Sequence, residues 1–200
     1  DPLVKQRVQE LPALAGNQPD TGLAVTSDPG VRRAVAALVY QADRRQMAEP
    51  AHRQELAKWI KPTDQAISAD GMSLASFGMS DRLTVATSAL MDVLDIGPQT
   101  ATRHKRLAEA SPWLGLLTTA EDEKRAWLYA GMALADIVLD LAANDIACSF
   151  LDQPIQVLDL RPELARIFGV TGFPQMLLRI GRGRAVRAAP RREPESVIGP

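Results

Sequence analysis

Two segments of this chain, Trp113-Leu114-Gly115-Leu116-Leu117-Thr118-Thr119 and Phe173-Pro174-Gln175-Met176-Leu177-Leu178-Arg179-Ile180, have strand-like composition with almost no alternation of polar and apolar residues. A strand that is apolar on both sides must be covered on both faces, so the sheet they build needs a layer of helices on each side. Pro174 is compatible with the second strand only near its start, because proline cannot donate to a ladder. Between the two strands, Trp127, Ala130, Ala133, Leu134, Ile137, Val138 and Leu141 recur at helical spacing. With apolar residues on most sides and many alanines, this stretch predicts a central helix packed closely by its neighbours. Thr118 and Thr119 are expected to cap it, with Glu121, Asp122 and Glu123 in its first turn at the positive end of the dipole. Asn144 is expected to end it in the left-handed conformation.

The other elements read more faintly. Asp1-Pro2 can start a helix with Leu3, Val4, Val8 and Leu11 on one face and Gly16 as its stop. After the turn Asn17-Gln18-Pro19-Asp20, Gly22–Thr26 predicts a short strand. Ser27-Asp28-Pro29 starts a second helix, buried through Val31, Ala34, Val35, Leu38, Val39 and Ala42. Arg32, Arg33, Arg44 and Arg45 lie mostly off that stripe and read as solvated. A further helix runs from Ala51 to Ile60. Residues 62–82 lose all periodicity yet hold Met72, Phe77 and Met79, which predicts an apolar lid or excursion. A short helix is expected over Leu83–Leu94 and another over Arg161–Phe168, ended by Gly169. Residues 184–200, rich in Arg, Ala and Pro, predict an extended C-terminal tail. Few strands amid many helices place the chain in the α+β class, as a single domain over 1–200.

Several classes of function are disfavoured. The formal net charge of −1 leaves no basic footprint for nucleic acid, and no apolar run of about 18 residues suggests a membrane span. Cys148 is the only cysteine, and His52 and His104 are isolated, so no metal centre is expected. The lone cysteine and an N-terminus without a signal-peptide layout favour a cytoplasmic setting. Cys148, with no histidine or lysine beside it in sequence, reads as a small buried hydrophobe rather than a nucleophile.

Ile180-Gly181-Arg182-Gly183 lacks the third glycine and following helix of a dinucleotide loop and reads as a tight turn leaving the sheet. Arg179, Arg182, Arg184, Arg187, Arg191 and Arg192 crowd the end of the chain. They suit either a phosphate-bearing ligand or a basic tail.

Two stretches together resemble the nitroreductase-like flavoproteins, specifically the Acg-type branch and its C-terminal half. One is Leu117-Thr118-Thr119 with Trp127-Leu128-Tyr129-Ala130-Gly131-Met132-Ala133-Leu134, running on to Leu141-Ala142. The other is Gly172 to Gly181 followed by Ala189-Pro190-Arg191-Arg192. The likeness extends from about Leu23 onward and is weakest between Lys61 and Ala110. It implies a nitroreductase-like central sheet flanked by helices, one repeat of a normally paired or fused fold. It also implies FMN as cofactor and NAD(P)H as hydride donor, with a nitro or quinone-like acceptor. By the same resemblance Arg191 and Arg192, with Arg182, would approach the FMN phosphate, and Ser149, Phe150 and Leu151 would pass near the isoalloxazine ring. No catalytic side chain is implied, because the flavin carries the chemistry.

The family's arginine-rich phosphate motif would precede residue 1, and its flavin lies between two halves. The resemblance therefore implies a homodimer or a preceding N-terminal half. Three functions stay open: an FMN-dependent oxidoreductase, a non-catalytic FMN-sequestering protein, and a degenerate half acting as an interaction module.

Overall fold

The computed structural model describes residues 2–61, 71–73, 97–183, 192 and 194–198. The chain divides into two compact units, Asp1–Arg45 with Pro98–Arg184, and Gln46–Gly97 with Ala185–Pro200.

The first unit is built on a four-stranded antiparallel sheet of β1 (Thr21–Thr26), β4 (Trp113–Thr119), β5 (Ala147–Phe150) and β6 (Phe173–Gly181), in the order β1-β4-β6-β5. Its helices are α1 (Pro2–Ala15), α2 (Pro29–Ala48), α4 (Gly97–Ala110), α5 (Lys124–Ala143), α6 (Gln153–Gln156) and α7 (Arg161–Phe168). Strand alternation divides the interior in two. Leu117, Leu178 and Ile180 meet Val4, Val8 and Leu11 of α1 and Ala130, Ala133, Ile137 and Leu141 of α5 on one face. Leu114, Leu116 and Leu177 meet Val35, Leu38 and Val39 of α2, Ala108 of α4, and Leu164 of α7 on the other. The even burial of β4 follows from this double cover, and each buried leucine contributes about 1.5–3 kcal/mol.

Several expectations are adjusted. In α2, Ala36 is buried where Ala34 is exposed. Arg32 is not a solvated residue: its Nη1 donates to Ser111 O (2.8 Å) and Glu109 O (3.3 Å), closing the carbonyl end of α4. Helix α4 itself is absent from the sequence reading. Its core contacts are the small, fully buried Ala101 and Ala108 amid Arg103, His104, Lys105 and Arg106, too thin a stripe to register as amphipathic. Strand β5 was also missed, being four residues long and only partly buried.

The central helix starts later than expected. Glu123 is its N-cap, without a side-chain cap bond, so Glu121 and Asp122 precede the helix; Thr119 Oγ1 instead donates to Glu121 O within the turn. At the other end Asp145 (φ 54°), not Asn144 (φ −106°), takes the left-handed conformation. Gly169 ends α7 at φ 65°, as its sequence position implied.

Pro174 sits at the second position of β6, beside a bulge. Leu117 faces Met176 and Thr118 faces Pro174, leaving Gln175 as the extra residue. Among the described residues one helix, α5, is long and apolar enough to cross a membrane. Here one side of it is built into the sheet's core, and Asp140 near its end is held by Arg7 of α1 through two bonds.

In the second unit α3 (Pro50–Trp59) follows the end of α2, whose Met47 and Ala48 carbonyls accept from Arg53 Nη1 (2.7 and 3.1 Å). Strands β2 (Ile60–Lys61) and β3 (Met72–Ser73) form a short parallel pair, and a 3₁₀ turn spans Pro194–Ser196. The expected excursion over 62–82 lies outside the described residues apart from 71–73. The expected helix at Leu83–Leu94 lies outside them altogether.

Candidate functional site

Strand β5 is the edge of the sheet next to β6, in a register that sets Ser149 opposite Arg179 and Phe150 opposite Leu178. Alternation sends Cys148 and Phe150 to the α1/α5 face and Ser149 to the other. Arg179 Nε donates to Ser149 Oγ at 2.7 Å. Phe150 is 48% exposed, an aromatic ring presented at the sheet edge. Leu151 differs from its two neighbours: its side chain is in the core beneath α2 and α7, and its N–H donates to Leu177 O at 2.9 Å. It can offer a ligand backbone surroundings only.

The next residue was not singled out from sequence. Asp152 Oδ1 accepts the Leu177 N–H at 2.7 Å, and its backbone carbonyl accepts the N–H groups of Ile155 and Gln156. Burial pushes its carboxyl up to about 6, partly opposed by the Leu177 bond. Burial likewise pushes the Cys148 thiol up to about 11, opposed by Arg179, so the thiol stays protonated at neutral pH and is inert.

The raised Asp152 value fixes the sign of a pH effect. Between about pH 4 and pH 6 the folded chain holds a proton that the unfolded chain has released, so stability falls as pH rises through that window. Asp152→Asn keeps an acceptor for Leu177 and removes the buried charge. It should stabilise the protein by about 2–3 kcal/mol at pH 7, two pH units at about 1.4 kcal/mol each, and the gain should vanish at pH 4. Urea unfolding at the two pH values checks this; an equal effect at both would show that the carboxyl is not the cause.

The structure separates the arginines that the sequence grouped. Arg182 lies past Gly181 at the far end of β5, where its Nη1 donates to Asp145 O at 2.9 Å. Five ladder positions separate it from Leu151, about 17 Å at strand rise. Arg179, not Arg182, is therefore the arginine beside Ser149. Arg192 is exposed in the second unit, and Arg191 lies outside the described residues.

At the opposite end of the sheet, Asp122 gathers Trp127 Nε1 (2.7 Å), Arg161 Nη1 (2.9 Å) and Gln175 Nε2 (3.1 Å). The Arg161 bond, then those of Trp127 and Gln175, hold its carboxyl down at about 2. Arg161 also donates to Pro174 O at 2.8 Å. This network ties α5, α7 and the bulge of β6 together, and its members are too far apart in sequence to signal one another.

The central helix has a second, outward face. Leu128 (63% exposed), Met132 (46%) and Leu139 (69%) lie along it with the exposed Ala135 and Ala142, at alternating spacings of four and three. Gly131 beside them has open space where a Cβ would stand. The expectation of a helix enclosed on most sides is therefore met only on its inner face. An exposed apolar stripe of this kind is a candidate contact surface.

No family model matches the chain. Over 87 residues it is 34% identical to two Mycobacterium tuberculosis proteins named as NAD(P)H nitroreductases, from strains H37Rv and CDC 1551. That match spans 41% of this chain but only 25% of those relatives, so they are the longer proteins. Solved structures align over nearly the whole chain. The FMN-dependent nitroreductase NfnB from Mycobacterium smegmatis, in complex with NADPH, covers 98% of it and is itself covered to 87%, with a TM-score of 0.59 at 18% identity. A nitroreductase with bound FMN from Desulfitobacterium hafniense covers 97% and is covered to 85%, with a TM-score of 0.54 at 12% identity. A BluB-like flavoprotein from Clostridium difficile covers 97% and is covered to 88%, with a TM-score of 0.53 at 10% identity. The fold is that of the nitroreductases.

Proposed function

We propose that this chain, a member of the nitroreductase-like family by its fold and by local sequence, binds FMN and passes hydride from NAD(P)H through the flavin to a nitro or quinone-like acceptor. The observation that carries this is the alignment of the antiparallel sheet and its helices, over 98% of the chain, with a nitroreductase that is FMN-dependent and holds NADPH.

The residues at the β5 edge suit a flat ring with polar edges. Phe150 offers an exposed aromatic surface, Ser149 a hydroxyl oriented by Arg179, and Asp152 a half-buried carboxyl. Bound there, flavin would accept and release the hydride, while the chain orients the ring and keeps water from one side of it. Arg191 and Arg192 are the proposed phosphate partners; Arg182, committed to Asp145, is a weaker one.

The proposed assembly pairs two nitroreductase-like halves across the outer face of α5. A second copy is the simplest occupant, and the greater length of the curated relatives leaves a preceding half as the other. The 62–82 segment is proposed as a lid.

The visible spectrum of the purified protein, with the released cofactor identified, tests the reading. Stoichiometric FMN that bleaches with NAD(P)H is expected. FMN that does not bleach would favour sequestration, and a colourless protein that takes up no FMN would overturn the cofactor assignment. The double variant Arg191→Ala/Arg192→Ala should weaken FMN binding at least tenfold, since each charge-assisted phosphate bond is worth about 1.5–3 kcal/mol. Unchanged affinity would remove both residues from the site.

A further inference from the structure

The segment carrying Ser149, Phe150 and Asp152 is held from two directions. From β6, Arg179 bonds Ser149, the Leu177 carbonyl takes the Leu151 N–H, and the Leu177 N–H reaches Asp152. From the helical side the contact runs through three polar side chains on three different elements. Asp43 of α2 is 4% exposed, and its Oδ2 lies 2.9 Å from His104 Nδ1 of α4. The same Nδ1 lies 3.0 Å from Nε2 of Gln153, the first residue of α6.

The chemistry of this chain of contacts is constrained. One ring nitrogen can donate or accept, not both. A buried carboxylate needs a donor, so Nδ1–H is best given to Asp43 in a charge-assisted bond, and the ring is fixed by it. Gln153 sets Nε2 toward Nδ1, which leaves its Oε1 buried without a partner; turning the amide would bring Oε1 to the shared proton and relieve it. An orphaned amide atom costs about 1–3 kcal/mol. That cost favours the turned amide, in which Nδ1–H is shared by Asp43 and Gln153. Apolar side chains from Val35, Val39, Leu151 and Ile155 already close this face of the core, so packing does not require the polar relay.

We infer that Asp43 and His104 are positioning residues that, through Gln153, fix the 149–153 segment in the orientation the flavin ring requires. Its flavin arm rests on the function proposed above; the positioning itself does not. Hydrogen exchange of the flavin-free protein is the first measurement, and Leu151, Ile155, Gln156 and Leu177 amides are the reporters. His104→Ala should speed their exchange at least tenfold while the paired amides of β1 and β4 stay as they are. His104→Gln, which still offers Asp43 a donor, should restore much of the protection. If His104→Ala does not fold, Gln153→Ala leaves the Asp43–His104 pair intact and should give the same local change. Unaltered exchange at the reporters in the variants that fold would overturn the relay.

The second measurement is FMN titration followed by visible circular dichroism. Both alanine variants should weaken binding at least tenfold and alter the dichroism of the bound flavin even at saturation, which a general loss of stability would not do. Normal affinity and dichroism, with exchange raised, would overturn the link to the ring. If the unaltered protein takes up no FMN, the proposed cofactor falls, and the exchange result still decides whether the relay positions the segment.

Discussion

Gly172→Ala should destabilise the protein by about 3–5 kcal/mol. Gly172 has φ 94°, and a Cβ built there would lie 2.6 Å from the carbonyl oxygen of Thr119. Neither backbone can give way. Thr119 is paired with Thr21 on one side and Phe173 on the other, and the following Ala120 N–H is bonded to Asp20 O. The unfavourable dihedral costs about 1–3 kcal/mol, and the forced overlap of backbone atoms about as much again. Gly169→Ala is the control. Its φ is 65° but the space around it is open, so only the dihedral cost of about 1 kcal/mol applies. Urea unfolding of the two variants measures the difference, and similar midpoints would mean that the approach to Thr119 is not a constraint.

Leu128→Asp combined with Leu139→Asp should convert the dimer proposed above into a monomer. Each leucine would bury about 1.5–3 kcal/mol of apolar surface in a closed seam, and each aspartate would have to be desolvated without a partner. The association constant should therefore fall by at least a thousandfold. Because both residues are exposed in the isolated chain, its own stability should change by less than about 0.5 kcal/mol. Light scattering across protein concentration, with thermal melting alongside, reads both effects. An unaltered chain that remains monomeric at high concentration would exclude a second copy from this face and leave a preceding half of a longer polypeptide as its occupant. Loss of FMN in the dissociated variant is the expected companion result.

Much of the frame was legible from periodicity. Strands β1, β4 and β6 and helices α1, α2 and α7 have either uninterrupted apolar runs or large side chains at regular spacing. Helix α4 escaped because its buried stripe is two alanines. Strand β5 escaped because an edge strand of four residues buries little and so carries little pattern. The consequences for the candidate site follow from that second miss. Without β5, nothing in the sequence says which arginine faces Ser149. The register selects Arg179, whereas Arg182, the arginine that the resemblance brings toward the FMN phosphate, lies at the far end of β5. Asp152 was silent for a different reason: a carboxylate four residues after an alanine-cysteine pair has an ordinary local context, and only tertiary burial makes it unusual. The inward turn of Thr119 toward Glu121, in place of a helix cap, likewise depends on Gln175 arriving from a distant strand.

The extra residue in β6 has a consequence for the surface as well as for the ladder. From Met176 onward, even-numbered side chains point toward α5 and odd-numbered ones away. Unbroken, that alternation would direct Phe173 away from α5. With Gln175 looped out, Pro174 falls opposite Thr118 on the α2 side and Phe173 opposite Thr119 on the α5 side, where it remains 42% exposed. The irregularity thus acts as a crossover point that changes the phase of the strand's tip alone. It moves one aromatic ring to the side of the sheet carrying Trp127 and Leu128 and leaves the six positions from Met176 to Gly181 in step. Deleting Gln175 would remove the bulge and leave Pro174 opposite Thr118 and Phe173 opposite Thr119, whereas pairing Gln175 itself with Thr118 would exchange the sides of Phe173 and Pro174.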